Sequence, residues 1–332
     1  MKQFQNVNAR SLQEAVGLAQ QARERGQVIA FSGGGTDLLQ QVKDGTEQPD
    51  VLINLRTVEG EDQITQVTGG IQIGGQVTLA ALAASPVVRA GYPVLAEAAQ
   101  VVGTPQIRNV GTLAGNVTQR PWCWYYRNGF NCYKAGGTQC YSVAGENQQH
   151  AILGGGPSYI VHPSDLAPAL VALNARFNLI GPAGQRSLAA EEFFQLPAEN
   201  PRYENVLARD ELLASVQLPE PAAGRVSSYH KVMDRQAWTH AVVSAAVVLE
   251  LRDGVCDLAS IVLGGVAPIP WRAREAEALL VGKALTATQA QQAGETAVSG
   301  ARPLAKNAYK VPMASAVVER LLLALTDQQA GV

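Results

Sequence analysis

Apolar residues recur at helical spacing close to the amino end of the chain, at Leu12, Ala15, Val16 and Ala19, ahead of a stop at Gly26. The run opens with Ser11-Leu-Gln-Glu14, a capping box in which the serine hydroxyl meets an orphan backbone N–H and the glutamate reaches back. The pattern predicts a first helix. Val28-Ile-Ala-Phe31 reads as a short buried strand that runs into Ser32-Gly-Gly-Gly-Thr-Asp37. Leu38 to Val42 read as helix again, and Val51-Leu-Ile-Asn-Leu55 as strand. Ile71-Gln-Ile73 lies between Gly69-Gly70 and Gly74-Gly75. Thr78 is placed to cap a helix through Ala84, and Pro93 sits at the favoured first turn of another through Val102.

From Gly103 the texture changes. Gly103 to Thr118 is rich in Gly, Thr and Asn and reads as a loop, and Trp122 to Gly156 mixes aromatics, glycines and cysteines with little periodicity. Ordered loops of such length are uncommon unless functional or clamped. Regular alternation returns at Tyr159-Ile-Val161, and Leu166 to Leu173 reads as a helix. Strands and turns follow to about Pro219, where Leu218-Pro-Glu-Pro-Ala-Ala-Gly224 reads as a linker. Beyond it, Val242–Leu251 and Val255–Leu263 are apolar runs joined across Asp253-Gly254, a strong hairpin signal. Helices are predicted over Arg272–Leu280, Thr286–Ser299 and Pro312–Leu325. The chain divides into residues 1–222, with an α/β opening, and a smaller α+β unit over 225–330.

Composition narrows the class. The 332 residues suit about two domains at roughly 150 residues each. A formal charge of −2 gives no footprint for nucleic acid, and no window approaches the ~18–20 apolar residues of a membrane span. The amino end carries no apolar signal region, which points to a cytoplasmic location. Charged residues are 16%, below the ~25% of an ordinary soluble domain, so part of the surface is expected in subunit contacts.

The candidate chemistry sits in the irregular segments. Gly33, Gly34 and Gly35 follow a buried strand, so their amides can form an anion-binding nest backed by a helix N-terminus, a fit for a pyrophosphate. A plain tight turn explains the triplet as well. Gly111, Thr112, Gly115 and Asn116 can present donors to a second part of the same ligand, or can simply link a helix to a strand. Asp165 in His162-Pro-Ser-Asp165 can accept from ribose or ribityl hydroxyls, while Ser164 or Asp165 is also well placed as a helix N-cap. Three of the four cysteines, Cys123, Cys132 and Cys140, fall close together, which leans toward an iron–sulfur site or a zinc held with His150 or His162. Cys256 reads as a buried structural cysteine and His240 as a packed or capping residue. No Gly-x-Ser-x-Gly elbow or His-Glu-x-x-His motif is present.

Taken in order, Gly33-Gly-Gly-Thr-Asp-Leu-Leu39, Ile73-Gly-Gly-Gln-Val-Thr78, Tyr92-Pro-Val-Leu95, Gln106-Ile-Arg-Asn-Val-Gly-Thr-Leu-Ala-Gly-Asn116, His162-Pro-Ser-Asp165 and Gly264-Gly-Val-Ala267 make the chain similar to a known family. It resembles the FAD-binding medium subunit of the molybdenum hydroxylases, the group of xanthine dehydrogenase, aldehyde oxidoreductase and CO dehydrogenase. The resemblance covers essentially the whole chain. It implies an α+β architecture: a two-lobed vanillyl-alcohol-oxidase (PCMH-type) FAD-binding fold and a C-terminal domain like that of the CO dehydrogenase flavoproteins. It places the FAD pyrophosphate on Ser32, Gly33, Gly34, Gly35, Thr36 and Asp37. Thr112, Gly115 and Asn116 fall in a second FAD loop, Asp165 contacts the cofactor, and Lys231 is a flavin-side contact or else a solvated surface lysine.

The insertion at about 117–160 resembles that of the periplasmic aldehyde oxidoreductase and hydroxybenzoyl-CoA reductase flavin subunits, which carry an extra [4Fe–4S] cluster there. Cys123, Cys132 and Cys140 supply thiolates, the ligand type such clusters need. Ser158 stands where relatives place the fourth cysteine. The implied cluster is [4Fe–4S], or [3Fe–4S] if the fourth ligand is missing. The resemblance further implies a large molybdopterin subunit and a small [2Fe–2S] subunit as partners, with an external acceptor taking electrons from the FAD. Export of the folded complex by a partner's signal makes the periplasm the alternative location. The rivals are a free-standing flavin oxidase of the same cofactor fold and a zinc-stabilised interaction module. Such oxidases often attach FAD through His or Cys, and the first loop contains neither.

Overall fold

The amino-terminal pattern becomes a three-stranded parallel sheet: β1 (Gln5–Asn8), helix α1 (Leu12–Glu24), β2 (Ile29–Ser32), helix α2 (Leu38–Asp44) and β3 (Val51–Asn54), in the order β1-β3-β2. The computed structural model describes residues 1–330. Leu12, Ala15, Val16 and Ala19 face Val51 and Ile53 in a small core, as the spacing predicts. Ser11 Oγ accepts the Glu14 N–H at 3.1 Å, but the Glu14 carboxylate reaches past Ser11 to the Arg10 N–H at 2.7 Å. The reciprocal half of the cap is therefore displaced by one residue.

Two strands follow, β4 (Ile64–Val67) and β5 (Gly70–Gly74), and then a run of short helices: α3 (Leu79–Ala84), α4 (Pro86–Gly91), α5 (Pro93–Gln100), α6 (Pro105–Val110), α7 (Leu113–Val117) and α8 (Trp124–Arg127). The stretch 103–118, expected as a loop, holds two of these. Thr104 and Thr112 cap them, each hydroxyl accepting the N–H three residues on, from Ile107 at 3.3 Å and Gly115 at 3.2 Å. Each is under two turns long, too short for a 3.6-residue period to show. After the insertion come α9 (Leu166–Ala172), β6 (Arg176–Gly181), β7 (Gly184–Ala189), α10 (Ala190–Phe193) and β8 (Leu212–Pro219). These strands complete an antiparallel sheet of order β4-β5-β8-β6-β7. Tyr159–Val161 joins no ladder; its Tyr159 carbonyl accepts from the Ala151 N–H at 2.9 Å.

The remainder is β9 (Arg225–Val232), β10 (Val243–Arg252), β11 (Val255–Gly264), β12 (Trp271–Arg272) and helices α11 (Arg274–Leu280), α12 (Ala287–Ala297) and α13 (Lys310–Ala330). β10 and β11 turn at Asp253 (φ 52°) and Gly254 (φ 76°), the left-handed pair that a two-residue hairpin requires. Both faces of this sheet are covered. Ala246 and Val248 enter the core of the middle region, whereas Ala245, Val247 and Leu249 enter a second core with α11–α13. That explains why β10 reads as a nearly continuous apolar run rather than alternating. Cys256 is fully buried in the second core. No helix among the described residues is long and apolar enough to cross a membrane.

Candidate functional site

Four stretches far apart in sequence meet around a cavity of about 810 Å3. They are the loop from Ser32 to Asp37, the second loop around Thr112–Asn116, the segment Ile160–Asp165, and the turn Asp234–Ala241 between β9 and β10. The volume lies toward the upper end of the roughly 300–1,000 Å3 of ligand clefts, enough for a dinucleotide-sized molecule.

The glycine triplet is dictated by contact between the first two loops. A Cβ on Gly34 would stand 1.8 Å from the Val110 carbonyl oxygen, and one on Gly33 would stand 2.8 Å from Thr112 Oγ1. Of the three, only Gly35 takes a left-handed backbone, at φ 71°. The amides of Gly33, Gly34, Gly35 and Thr36 find no backbone acceptor among the described residues, so they are available to an anion in the cavity. Gln76, from Ile73-Gly-Gly-Gln-Val-Thr78, joins this wall, and its buried Oε1 has no hydrogen-bond partner. A glycine cradle beside an orphaned acceptor fits a phosphate-bearing ligand that also carries donors.

Asp37 lines the cavity, but its carboxylate is engaged. It accepts from Gln41 Nε2 at 2.9 Å, the Arg120 N–H at 3.0 Å and Arg127 Nη2 at 2.6 Å. Thr112 Oγ1 accepts the Gly115 N–H, and a Cβ on Gly115 would crowd that oxygen at 3.0 Å. Asn116 Oδ1 accepts from Ser164 Oγ at 2.6 Å, and Ser164 Oγ accepts the Ala167 N–H at 3.0 Å. Ser164 is thus the cap of α9, and it links the second loop to the third segment. Asp165 is buried on the cavity wall, with Oδ1 accepting from the Tyr229 hydroxyl at 2.8 Å and Oδ2 from Lys231 Nζ at 2.7 Å. Lys231 is not on the wall, and it is buried rather than solvated.

The cysteine insertion is anchored by protein groups. Glu204, itself buried, pairs with Arg120 at 3.2 Å and Lys134 at 2.8 Å, and Arg127 pairs with Asp37. Tyr125 packs among Phe130, Tyr141 and His150, and Asn307 of the C-terminal region donates to the His150 carbonyl at 3.0 Å. Cys123 lines the cavity, whereas Cys132, Cys140 and Ser158 do not. Cys123 Sγ lies 3.3 Å from His150 Nε2, and Cys140 Sγ 3.1 Å from Ser142 Oγ. Burial pushes the Cys123 thiol up to about 11. Among the described residues no three His, Cys, Asp or Glu side chains, the three cysteines included, gather in a group that could hold a metal ion.

His162 lines the cavity, with its ring edge-on to Phe194 at 4.8 Å. Nδ1 accepts the Ser164 N–H at 3.4 Å, and Nε2 is buried without a partner. Burial lowers its pKa to about 4, against roughly 6.5 in an unfolded chain. The folded state therefore binds fewer protons between those values, and this contribution to stability is lost as pH falls from about 6.5 toward 4. His162→Gln is expected to lose less of its urea midpoint between pH 7 and pH 5 than the parent chain; equal losses would remove His162 as the cause.

Sequence reasoning passed over Gln76, Tyr229 and Trp238. Gln76 stood in a segment already singled out, and a polar residue wedged between Gly75 and Val77 ahead of a helix cap was its signal. Tyr229 and Lys231 share one face of a strand by period-2 alternation, but nothing local points that face at Asp165.

Comparison with known proteins agrees with this geometry. Residues 2–221 match the model of the FAD binding domain in molybdopterin dehydrogenase, and residues 228–325 that of the CO dehydrogenase flavoprotein C-terminal domain. The chain is 37% identical over 298 residues to the aldehyde oxidoreductase FAD-binding subunit PaoB of Escherichia coli, covering 88% of this chain and 90% of that one. It is 28% identical to the carbon monoxide dehydrogenase medium chain of Hydrogenophaga pseudoflava, over 96% of each. The solved structure of carbon monoxide dehydrogenase from that organism superposes with a TM-score of 0.77 over 97% of each chain, at 28% identity. With both halves matched and the cavity walled by the same loops that carry the family's motifs, the chain belongs to the FAD-binding medium subunits of the molybdenum hydroxylase family.

Proposed function

We propose that this chain is the FAD-holding electron-transfer subunit of a multi-subunit molybdenum hydroxylase, an aldehyde or N-heterocycle (xanthine-type) dehydrogenase. A large molybdopterin subunit would oxidise the organic substrate, and a small [2Fe–2S] subunit would deliver the electrons. The observation that carries this reading is the cavity formed where the Ser32–Asp37 and Thr112–Asn116 loops touch, with unpartnered amides on one wall and an orphaned Gln76 acceptor on the same wall. Bound FAD would supply chemistry that accepts electrons one at a time from [2Fe–2S] centres and passes them on, singly or as a pair, to an external acceptor. The chain's own residues bind and orient it. The amides of Gly33–Thr36 take the diphosphate charge, and Gln76 Oε1 takes a donor. The Asn116–Ser164 hydrogen bond fixes the second loop against α9. Asp165 is held between Tyr229 and Lys231, which ties the cavity floor to the C-terminal sheet. Residues 1–222 form the cofactor domain in this reading and 225–330 the C-terminal domain, and the complex works in the cytoplasm, or in the periplasm if a partner carries an export signal. Purification of the native complex tests it: FAD should co-migrate with molybdopterin and [2Fe–2S] subunits, and the chain alone should bind FAD without oxidising the organic substrate. A chain that runs alone and turns over a substrate by itself would favour the free-standing oxidase.

The insertion is the second part of the proposal. Three thiols in one anchored loop are a donor set that fits an iron–sulfur cluster in kind, with Cys123, Cys132 and Cys140 as ligands and Ser158 in the fourth position. The cluster would be [4Fe–4S], or [3Fe–4S] where Ser158 leaves one iron unheld, and it would supply one-electron chemistry next to the FAD cavity. Protein purified without oxygen is expected to contain iron and acid-labile sulfide beside the flavin. Ser158→Cys is expected to raise the iron content and convert a three-iron signal in electron paramagnetic resonance to a four-iron one. Iron-free wild-type protein would strike the cluster from the proposal, and an unchanged spectrum would remove Ser158 as the fourth ligand.

A further inference from the structure

Among the described residues only Asn174, Trp238 and Asp253 hold a left-handed backbone without being glycine. Asn and Asp adopt it readily; for a residue as bulky as tryptophan it is strained. Trp238 sits at φ 57° in the turn between β9 and β10, and the conformation is locked. Its N–H donates to the Gly103 carbonyl at 3.3 Å, and its own carbonyl accepts from Arg235 Nε at 3.2 Å and Nη2 at 2.7 Å. The outcome is an indole that lines the cavity with 57% of its surface exposed. A strained backbone that presents a large apolar ring to a cavity is the kind of outlier that clusters at ligand sites.

We infer that Trp238 is a stacking wall for a flat ring of the bound dinucleotide, isoalloxazine or adenine, and is a positioning residue for the cofactor. The inference rests on the reading of the cavity as an FAD site and adds to it a residue outside the motifs that identify the family. Trp238→Gly separates the two roles, because it removes the ring and relieves the backbone together. Without FAD, this variant is expected to melt at or above the parent temperature. FAD affinity is expected to fall about tenfold, the scale of one lost aromatic stack. Trp238→Phe keeps a ring in place and is expected to retain most of the affinity. Brighter bound-flavin fluorescence in Trp238→Gly, with ADP affinity unchanged, assigns the stack to isoalloxazine; an equal loss of ADP affinity with unchanged fluorescence assigns it to adenine. A Trp238→Gly chain that binds FAD as tightly as the parent overturns the inference alone. So does one that loses apo stability in proportion to its lost affinity. A parent chain that binds no FAD overturns the functional reading and this inference with it.

Discussion

A Gly34→Ala chain is expected to emerge from purification colourless. The added Cβ would lie 1.8 Å from the Val110 carbonyl oxygen, 2.5 Å from its carbon and 2.9 Å from the Gly111 nitrogen. All three are backbone atoms and have no rotamer to retreat into. Ordinary contact needs about 3.5–4.0 Å between carbon atoms, so the two loops must part by more than an ångström. Such overpacking typically costs about 1–3 kcal/mol. The heavier loss falls on the cofactor: the amides of the first loop would leave their aim, and one or two charge-assisted bonds at about 1.5–3 kcal/mol each correspond to roughly a hundredfold in affinity. Gly17→Ala is the control. It lies within α1 with nothing inside 4 Å of the new atom, and it should stabilise the chain by about 0.5–1 kcal/mol and leave FAD binding alone. Titration of each refolded chain with FAD reads the difference. A Gly34→Ala chain that takes up FAD normally would show that loop contact does not position the amides.

Lys231→Met is expected to be the most destabilising single change outside the glycine loops. The ammonium and the Asp165 carboxylate are both almost wholly buried and lie 2.7 Å apart. Removing one member leaves the other charged in an apolar setting, which costs about 3–5 kcal/mol, whereas removing both often costs little. Adding Asp165→Asn to Lys231→Met should therefore recover most of the lost urea midpoint, since the new side-chain amide carries no charge and its oxygen can still accept from the Tyr229 hydroxyl. The cycle also tests what Asp165 is for. If its main duty were a direct bond to the cofactor, Asp165→Asn would depress FAD affinity more than fold stability. With both oxygens taken by Tyr229 and Lys231, the larger effect is expected on stability.

The regular parts of this fold are legible in the sequence because their periods are long or their turns are distinctive. α1 declares itself over four apolar positions and a cap, and the β10–β11 hairpin through Asp253-Gly254. α6 and α7 are hidden, because six and five residues do not complete two turns. The site divides in the same way. The glycine triplet is visible, but its tightest constraint, Gly34 against Val110, joins residues from different loops. Lys231 reads as readily as a solvated lysine as a flavin-side contact, since a partner 66 positions away leaves no trace in local pattern. The cysteine segment, by its lack of periodicity, reads as needing something to hold it. Arg120, Arg127, Lys134 and Glu204 anchor it with buried ion pairs, and in sequence such residues cannot be told from charges facing water.

The most direct test is a crystal of this chain grown with FAD. The diphosphate is expected against the amides of Gly33, Gly34, Gly35 and Thr36, with the Thr112–Asn116 loop closing over the same molecule. A diphosphate bound elsewhere, with both loops bare, would contradict the assignment of this cavity as the cofactor site.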